Sequence, residues 1–170
     1  PTTDLYTLSL HDALPICDGD HYDPKKAVEY LTKSAKQGYT VAKYMLGKLY
    51  LKGEDVPKQM LHALHWLESA VKDDNPYAEY LLGKTFLKGE DIERDTERAE
   101  SLLSRSAEQE NKYAAHTLGK AYLDGDILAQ SIDEAVRLLN LSASRNFAPA
   151  QFILGRLLYK IGRASCRERV

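Results

Sequence analysis

The segment HALHWLE sets His62, His65 and Glu68 at three-residue steps, which a helix brings onto one side. Imidazole nitrogens and a carboxylate are zinc ligands, so such a row could seed a metal site. Two histidines from one helix leave a tetrahedral ion short of ligands, however. In the other repeats, at steps of 36 residues, the same places hold Lys26, Arg98 and Glu134, or Glu29, Ser101 and Arg137. That is an ordinary solvent-facing set, and it outweighs the metal reading. DGDHYDPKKAVE opens like a calcium loop with Asp18 and Asp20, but Tyr22 stands in fifth place and Asp23 in sixth, where the tight turn requires Gly. Asn140-Leu141-Ser142 fits an N-glycosylation triplet yet falls inside a helical segment. His11-Asp12 lies in a terminal stretch that does not share the chain's internal pattern. There is no Gly-rich phosphate loop, no G-x-S-x-G and no H-E-x-x-H. The residues name no catalytic group, no metal site and no cofactor, and the chain reads as not an enzyme.

The pattern that positions every other residue is a repeat. LGKLYLKGEDV, LGKTFLKGEDI and LGKAYLDGDIL begin at Leu46, Leu82 and Leu118, and a fourth Leu-Gly pair stands at Leu154-Gly155, always at an interval of 36. Independent columns keep the same step: Ala27, Ala63, Ala99 and Ala135; Leu31, Leu67, Leu103 and Leu139; Ala42, Ala78, Ala114 and Ala150. An aromatic column reads Tyr50, Phe86 and Tyr122, with Leu158 fourth. Periods of this length are the signature of stacked structural units.

Each unit predicts two helices. In the first, apolar positions fall at 42, 45, 46, 49 and 50, one helical face. Gly53, Gly89 or Gly125 closes it, and a short acidic loop follows. The second helix starts from Asp23, Asp95 or Ser131, whose side chains can accept from first-turn amides. SIDE at 131–134 reads as a capping box, Pro24 takes the first helical position, and Gln59 breaks the cap column. Asn75-Pro76 announces the next first helix. The Gly of each Leu-Gly pair sits inside a helix, where it costs about 1 kcal/mol relative to Ala. Its recurrence predicts close helix–helix approach with no room for a side chain.

Ala42, Leu46-Gly47, Tyr50, Gly53, Val56, Ala63 and Trp66-Leu67, with SAKQG at 34–38 and SAEQE at 106–110, resemble the Sel1-like repeat family, relatives of tetratricopeptide repeats. The resemblance covers roughly residues 20–160. It implies an all-α fold, a right-handed α-solenoid of antiparallel helix pairs, with about four hairpins over residues 17–160, the first and last incomplete. Asp74, Glu110 and Asn146 replace a family Gly and Val71 replaces an Ala. These departures are expected to cost local stability without breaking the architecture.

The repeat phase fails at both ends. Carried backward it lands on Tyr6, Leu10-His11, Leu14 and Cys17, of which only Leu10 fits, and forward it asks for Gly where Ile161 stands. Residues 1–16 (PTTDLYTLSLHDALPI) and 161–170 (IGRASCRERV) look similar to translated sequencing-adaptor read-through and are expected to be non-native, the array between them being a piece of a longer protein. Cys17 and Cys166 then carry no disulfide argument. With no signal segment visible and no Cys inside the trusted repeats, a cytoplasmic setting is favoured. The net charge of −2 over 170 residues argues for neither nucleic acid nor an anionic membrane.

If the stack curves as tetratricopeptide-like arrays do, its first helices line a concave side. Their outward positions read Val41, Tyr77, Tyr113 and Pro149; Tyr44, Tyr80, His116 and Phe152; Lys48, Lys84, Lys120 and Arg156; Leu51, Leu87, Leu123 and Tyr159; Lys52, Lys88, Asp124 and Lys160. An aromatic stripe beside a basic ladder suits a protein partner or acidic peptide, aromatics giving contact area and cations selecting carboxylates. The expected function is a protein–protein interaction scaffold, with partner-binding residues Tyr44, Lys48, Leu51, Lys52, Tyr77, Tyr80, Lys84, Lys88, Tyr113, His116, Lys120, Phe152 and Arg156. The plainer alternative makes the aromatics packing residues and the lysines a solvated edge. Two further readings stay open. The LGK.YLKGEDVPK phrasing looks like non-catalytic arrays appended to bacterial mobilisation relaxases. The Lys/Tyr face could also track single-stranded nucleic acid weakly.

Overall fold

Apolar residues three and four apart make the helices of this chain, and Gly, Asn and Asp punctuate them. The computed structural model describes residues 23–167, with side chains described over 23–160. The helices are α1 (Pro24–Lys36), α2 (Thr40–Lys52), α3 (Met60–Lys72), α4 (Pro76–Lys88), α5 (Thr96–Glu108), α6 (Lys112–Asp124), α7 (Ile132–Ser144) and α8 (Ala148–Arg167). No strand occurs among the described residues. The segment 1–16, His11-Asp12, Cys17 and the calcium-like Asp18, Asp20 and Tyr22 lie outside the described residues, as does the side chain of Cys166.

Helices α2, α4 and α6 are 13 residues long and end at Gly53, Gly89 and Gly125, each in the left-handed conformation at φ 70, 66 and 73°. Where that Gly is missing, α8 runs on to 20 residues. Asp23 accepts from the Lys26 amide at 3.0 Å and Asp95 from the Arg98 amide at 2.9 Å. Gln59, at the same step, makes no side-chain cap. The capping box at Ser131 is only half formed. Ser131 Oγ accepts from the Glu134 amide at 3.5 Å, but the Ser131 amide donates to the Tyr122 carbonyl and Glu134 turns to Arg137. The same tie joins Gln59 to Tyr50 and Asp95 to Phe86, so the loop satisfies the amide that a capping box would use. Asp74, Glu110 and Asn146 hold the left-handed conformation of the Gly they replace, at φ 55, 63 and 55°, the strain that the departures implied.

Packing follows the repeat: α2 lies on α3, α4 on α5 and α6 on α7 as hairpins, and each second helix then meets the next first helix. Leu46, Leu82, Leu118, Leu67, Leu103 and Leu139 are sealed in the core. Each contributes about 1.5–3 kcal/mol by leaving water. A Cβ added to Gly83 would stand 2.9 Å from Leu103 Cγ and 3.2 Å from the Ala99 carbonyl, so the recurrent Gly is there for close approach. Ser106 Oγ donates to the Pro76 carbonyl at 2.6 Å and Ser142 Oγ to that of Lys112 at 2.8 Å, fastening second helix to first. Two expected core positions differ. Met45 is exposed because its position faces the preceding first helix, as Leu81 does toward Leu51 of α2, and α2 is the first such helix among the described residues. Ala27 is exposed for the matching reason on α1.

Candidate partner-binding face

Helices α2, α4, α6 and α8 repeat one surface, and the structure sorts its residues into three kinds. The first is an aromatic ladder across helix boundaries. Tyr44 meets Tyr77 with ring centroids 6.0 Å apart, and Tyr80 meets Tyr113 at 5.9 Å. Tyr113 and His116 both stand edge-on to Phe147, at 5.3 and 5.1 Å. Tyr44 and Tyr80 are half-buried on the core, whereas Tyr77, Tyr113 and Phe152 are exposed. Burial, then the neighbouring Tyr77 and Tyr80, push the Tyr44 hydroxyl up from its ordinary pKa. Burial, then Lys120 and Lys84, hold His116 below its ordinary value.

The second kind is the cation ladder. Among the described residues Lys48 and Lys120 are exposed and have no ion-pair or hydrogen-bond partner. Lys84 Nζ lies 3.3 Å from Tyr80 Oη, and the Arg156 guanidinium sits 5.7 Å over the Phe152 ring. A cation held against an aromatic ring keeps its charge available at the surface.

The third kind also makes contacts within the chain. Lys52 and Lys88 reach toward the acidic loops, 3.3 Å from Glu54 and 3.4 Å from Glu90, while their side chains stay about half exposed. Leu51 is half-buried in the cleft between α2 and α4, and Leu87 is in the core, because neighbouring first helices pack side by side through that position. Positions 41 and 52 are exposed on all four of these helices, position 48 is exposed on three of them, and position 44 is half-buried on three. Beside α2 a cleft of about 430 Å³ is lined by Val41, Tyr44, Met45, Lys48, Leu49, Lys52, Glu54 and Asp55. Between α6 and α8 a second, of about 290 Å³, is lined by Lys120, Leu123, Asp124, Ile153, Arg156, Leu157 and Lys160.

Phe147 is the member that sequence reasoning missed. Its column, Tyr39, Asn75, Asn111 and Phe147, is the cap of each first helix. Asn75 and Asn111 cap with their side chains, and an aromatic in that column is the signal that the residue serves the ladder instead. The histidine row is accounted for by packing: His62 lies 5.4 Å from the Tyr50 ring, His65 is edge-on to Trp66, and Glu68 pairs with Arg98 at 2.7 Å. No three potential metal ligands converge among the described residues.

Matches to the Sel1 repeat family cover residues 19–39, 40–75, 76–111 and 112–147. The fold is similar to the crystal structure of a Sel1 repeat protein from Oxalobacter formigenes, at 29% identity and a TM-score of 0.75, over 83% of this chain and 57% of that one. It is also similar to c5321, a protective antigen of uropathogenic Escherichia coli strains displaying an SLR fold, at 26% identity and TM-score 0.75, over 87% of this chain and 32% of that one. Helicobacter pylori cysteine rich protein B shares the fold at 16% identity and TM-score 0.59, over 74% of this chain and 96% of that one. The chain thus spans well under two thirds of the first two relatives. No curated protein matches it.

Proposed function

The chain belongs to the Sel1 repeat family, and from that premise we propose that it holds an acidic protein segment along the face of α2, α4, α6 and α8. Sel1 repeat proteins generally mediate protein–protein interactions and are typically non-catalytic. The observation that carries the choice of face is the unpaired pair Lys48 and Lys120, standing in one column with Lys84 and Arg156. Each of these lies one step along the helix from a ring of the aromatic ladder. The adjoining Lys52 and Lys88 stay exposed but share their charge with Glu54 and Glu90, so they add less to recognition. The segment's carboxylates meet the cation column while its apolar side chains lie on Tyr77, Tyr113 and the clefts. Such complementarity raises the encounter rate and rejects basic partners.

Peptide display selected on the immobilised chain tests this. Asp/Glu-rich peptides with aromatic or aliphatic residues should be enriched. Lys48→Glu combined with Lys120→Glu should weaken the selected peptides about tenfold or more, roughly 1.4 kcal/mol. Among the described residues neither lysine has an ion-pair or hydrogen-bond partner, so the melting temperature should hardly move. Enrichment of neutral or basic peptides, or unchanged affinity in the double variant, would remove this face.

A further inference from the structure

We propose that the acidic segment crosses α2, α4, α6 and α8 as a polyproline II helix carrying a carboxylate at every third residue. This rests on the acidic-partner reading above and adds to it a conformation and a spacing. The cation column supplies one charge per first helix, Lys48, Lys84, Lys120 and Arg156 standing at the same place on α2, α4, α6 and α8. Successive first helices touch, α2 with α4 and α4 with α6, through residues whose Cα atoms lie within 8 Å. Helices in direct contact have axes about 8–10 Å apart, so the charges recur at about that interval.

That interval sorts the conformations of a bound segment. In a β-strand, side chains on one face recur at about 6.7 Å and then about 13 Å, and neither step fits. In polyproline II every third side chain faces the same way, about 9.3 Å further on, which matches. An α-helix gains about 10.5 Å in seven residues, but it is about 10–12 Å across and needs a broad apolar bed. The face offers a narrow one. Leu51 and Leu87 are taken up between the helices, and on α4 and α6 the exposed large apolar side chains are Tyr77, at 52%, and Tyr113, at 40%. Each ring leans on one from the preceding helix, Tyr77 on Tyr44 at 6.0 Å and Tyr113 on Tyr80 at 5.9 Å, so the row is set before a partner arrives. Proline-rich segments dock on aromatic rows of this kind. Position 41 lies two helical turns from position 48, so the rings and the cations form parallel rows. One face of the three-sided polyproline II helix then meets the cations, the next meets the rings, and the third stays in water. Along their length the helices bond their own amides and carbonyls, so they offer a partner no free backbone. Polyproline II asks for none, because its backbone is solvated.

Fluorescence anisotropy of the full chain with three labelled peptides tests spacing and conformation separately. The first peptide repeats Glu-Pro-Pro four times. The second has the same residues with its glutamates gathered at one end. The third repeats Glu-Gly-Gly four times, which keeps the spacing and loses the preset conformation. The first should bind about tenfold tighter than either of the others. Lys48→Glu combined with Lys120→Glu should weaken all three. If the second or the third peptide matches the first, and the lysine variant still loses them, the polyproline II proposal falls while the acidic-partner reading stands. Tighter binding by an α-helical peptide with glutamates seven residues apart has the same meaning. A first peptide that does not bind would also overturn the proposal. A lysine variant that binds every peptide like the parent would overturn both.

Discussion

A single methyl group separates the two roles that one glycine column plays. At Gly83 an added Cβ would press on Leu103 and on the backbone carbonyl of Ala99, which cannot rotate away. Gly83→Ala is expected to lose about 1–3 kcal/mol by overpacking, against a helix-propensity gain of about 1 kcal/mol. At Gly155 nothing stands within 4 Å, so Gly155→Ala in dilute protein should keep the propensity gain. Urea midpoints of the two variants should move in opposite directions; equal shifts would mean that close approach is not what fixes the column. Glu79 offers a test by pH. It is fully buried, accepts from Gln109 at 2.9 Å, and stands 2.8 Å from an Arg105 Nη. Yet that facing oxygen, Oε1, has no hydrogen bond, because the guanidinium N–H bonds do not point at it. Burial is the leading influence and lifts its pKa, Arg105 opposing. A carboxyl raised in the folded state gives stability that is present below its unfolded pKa and lost as pH rises through the folded one. Glu79→Gln should therefore be more stable than the parent at pH 7, with the advantage shrinking as pH falls to about 4. Asp73, held down by Lys43 and Thr40, has the opposite pH dependence, but it is present in both proteins and cancels in the difference.

At the scale of the helix, the cap column isolates one missing interaction. Gln59 has φ −138° and ψ 91°, Asp95 has φ −130° and ψ 95°, and only Asp95 closes a side-chain bond. Gln59→Asp should stabilise the array by about 1 kcal/mol, since the backbone is already in the capping conformation. A thermal melt decides it, and an unchanged midpoint would show that α3 is held by packing alone. The helices themselves were legible from the sequence because Leu-Gly, the capping residues and the closing Gly are local signals, repeated in phase. What escaped was set by neighbours. Leu51 and Leu87 share the helical face of Lys48, and only the side-by-side approach of α2 and α4 buries them. Lys52 and Lys88 read as free cations until the loop brings Glu54 and Glu90 back toward them. Phe147 stands where the first helices begin, and only the approach of α6 brings it against Tyr113 and His116. The candidate face was thus legible as a surface, but its division into cation, ring and packing residue depended on contacts between repeats.

The whole molecule is a line of units that touch only their neighbours, so its stability has a gradient. The larger buried cluster runs from Leu67 to Leu138, whereas the cluster nearer α1 holds only Ala35, Ala42 and Leu46 as buried members. Local opening is easiest where the fewest apolar contacts must be broken. Amide hydrogen exchange should be slowest in α4, α5 and α6 and fastest in α1 and the later turns of α8. Equal exchange rates in α1 and α5 would mean that the array opens as one unit, with no gradient along the line.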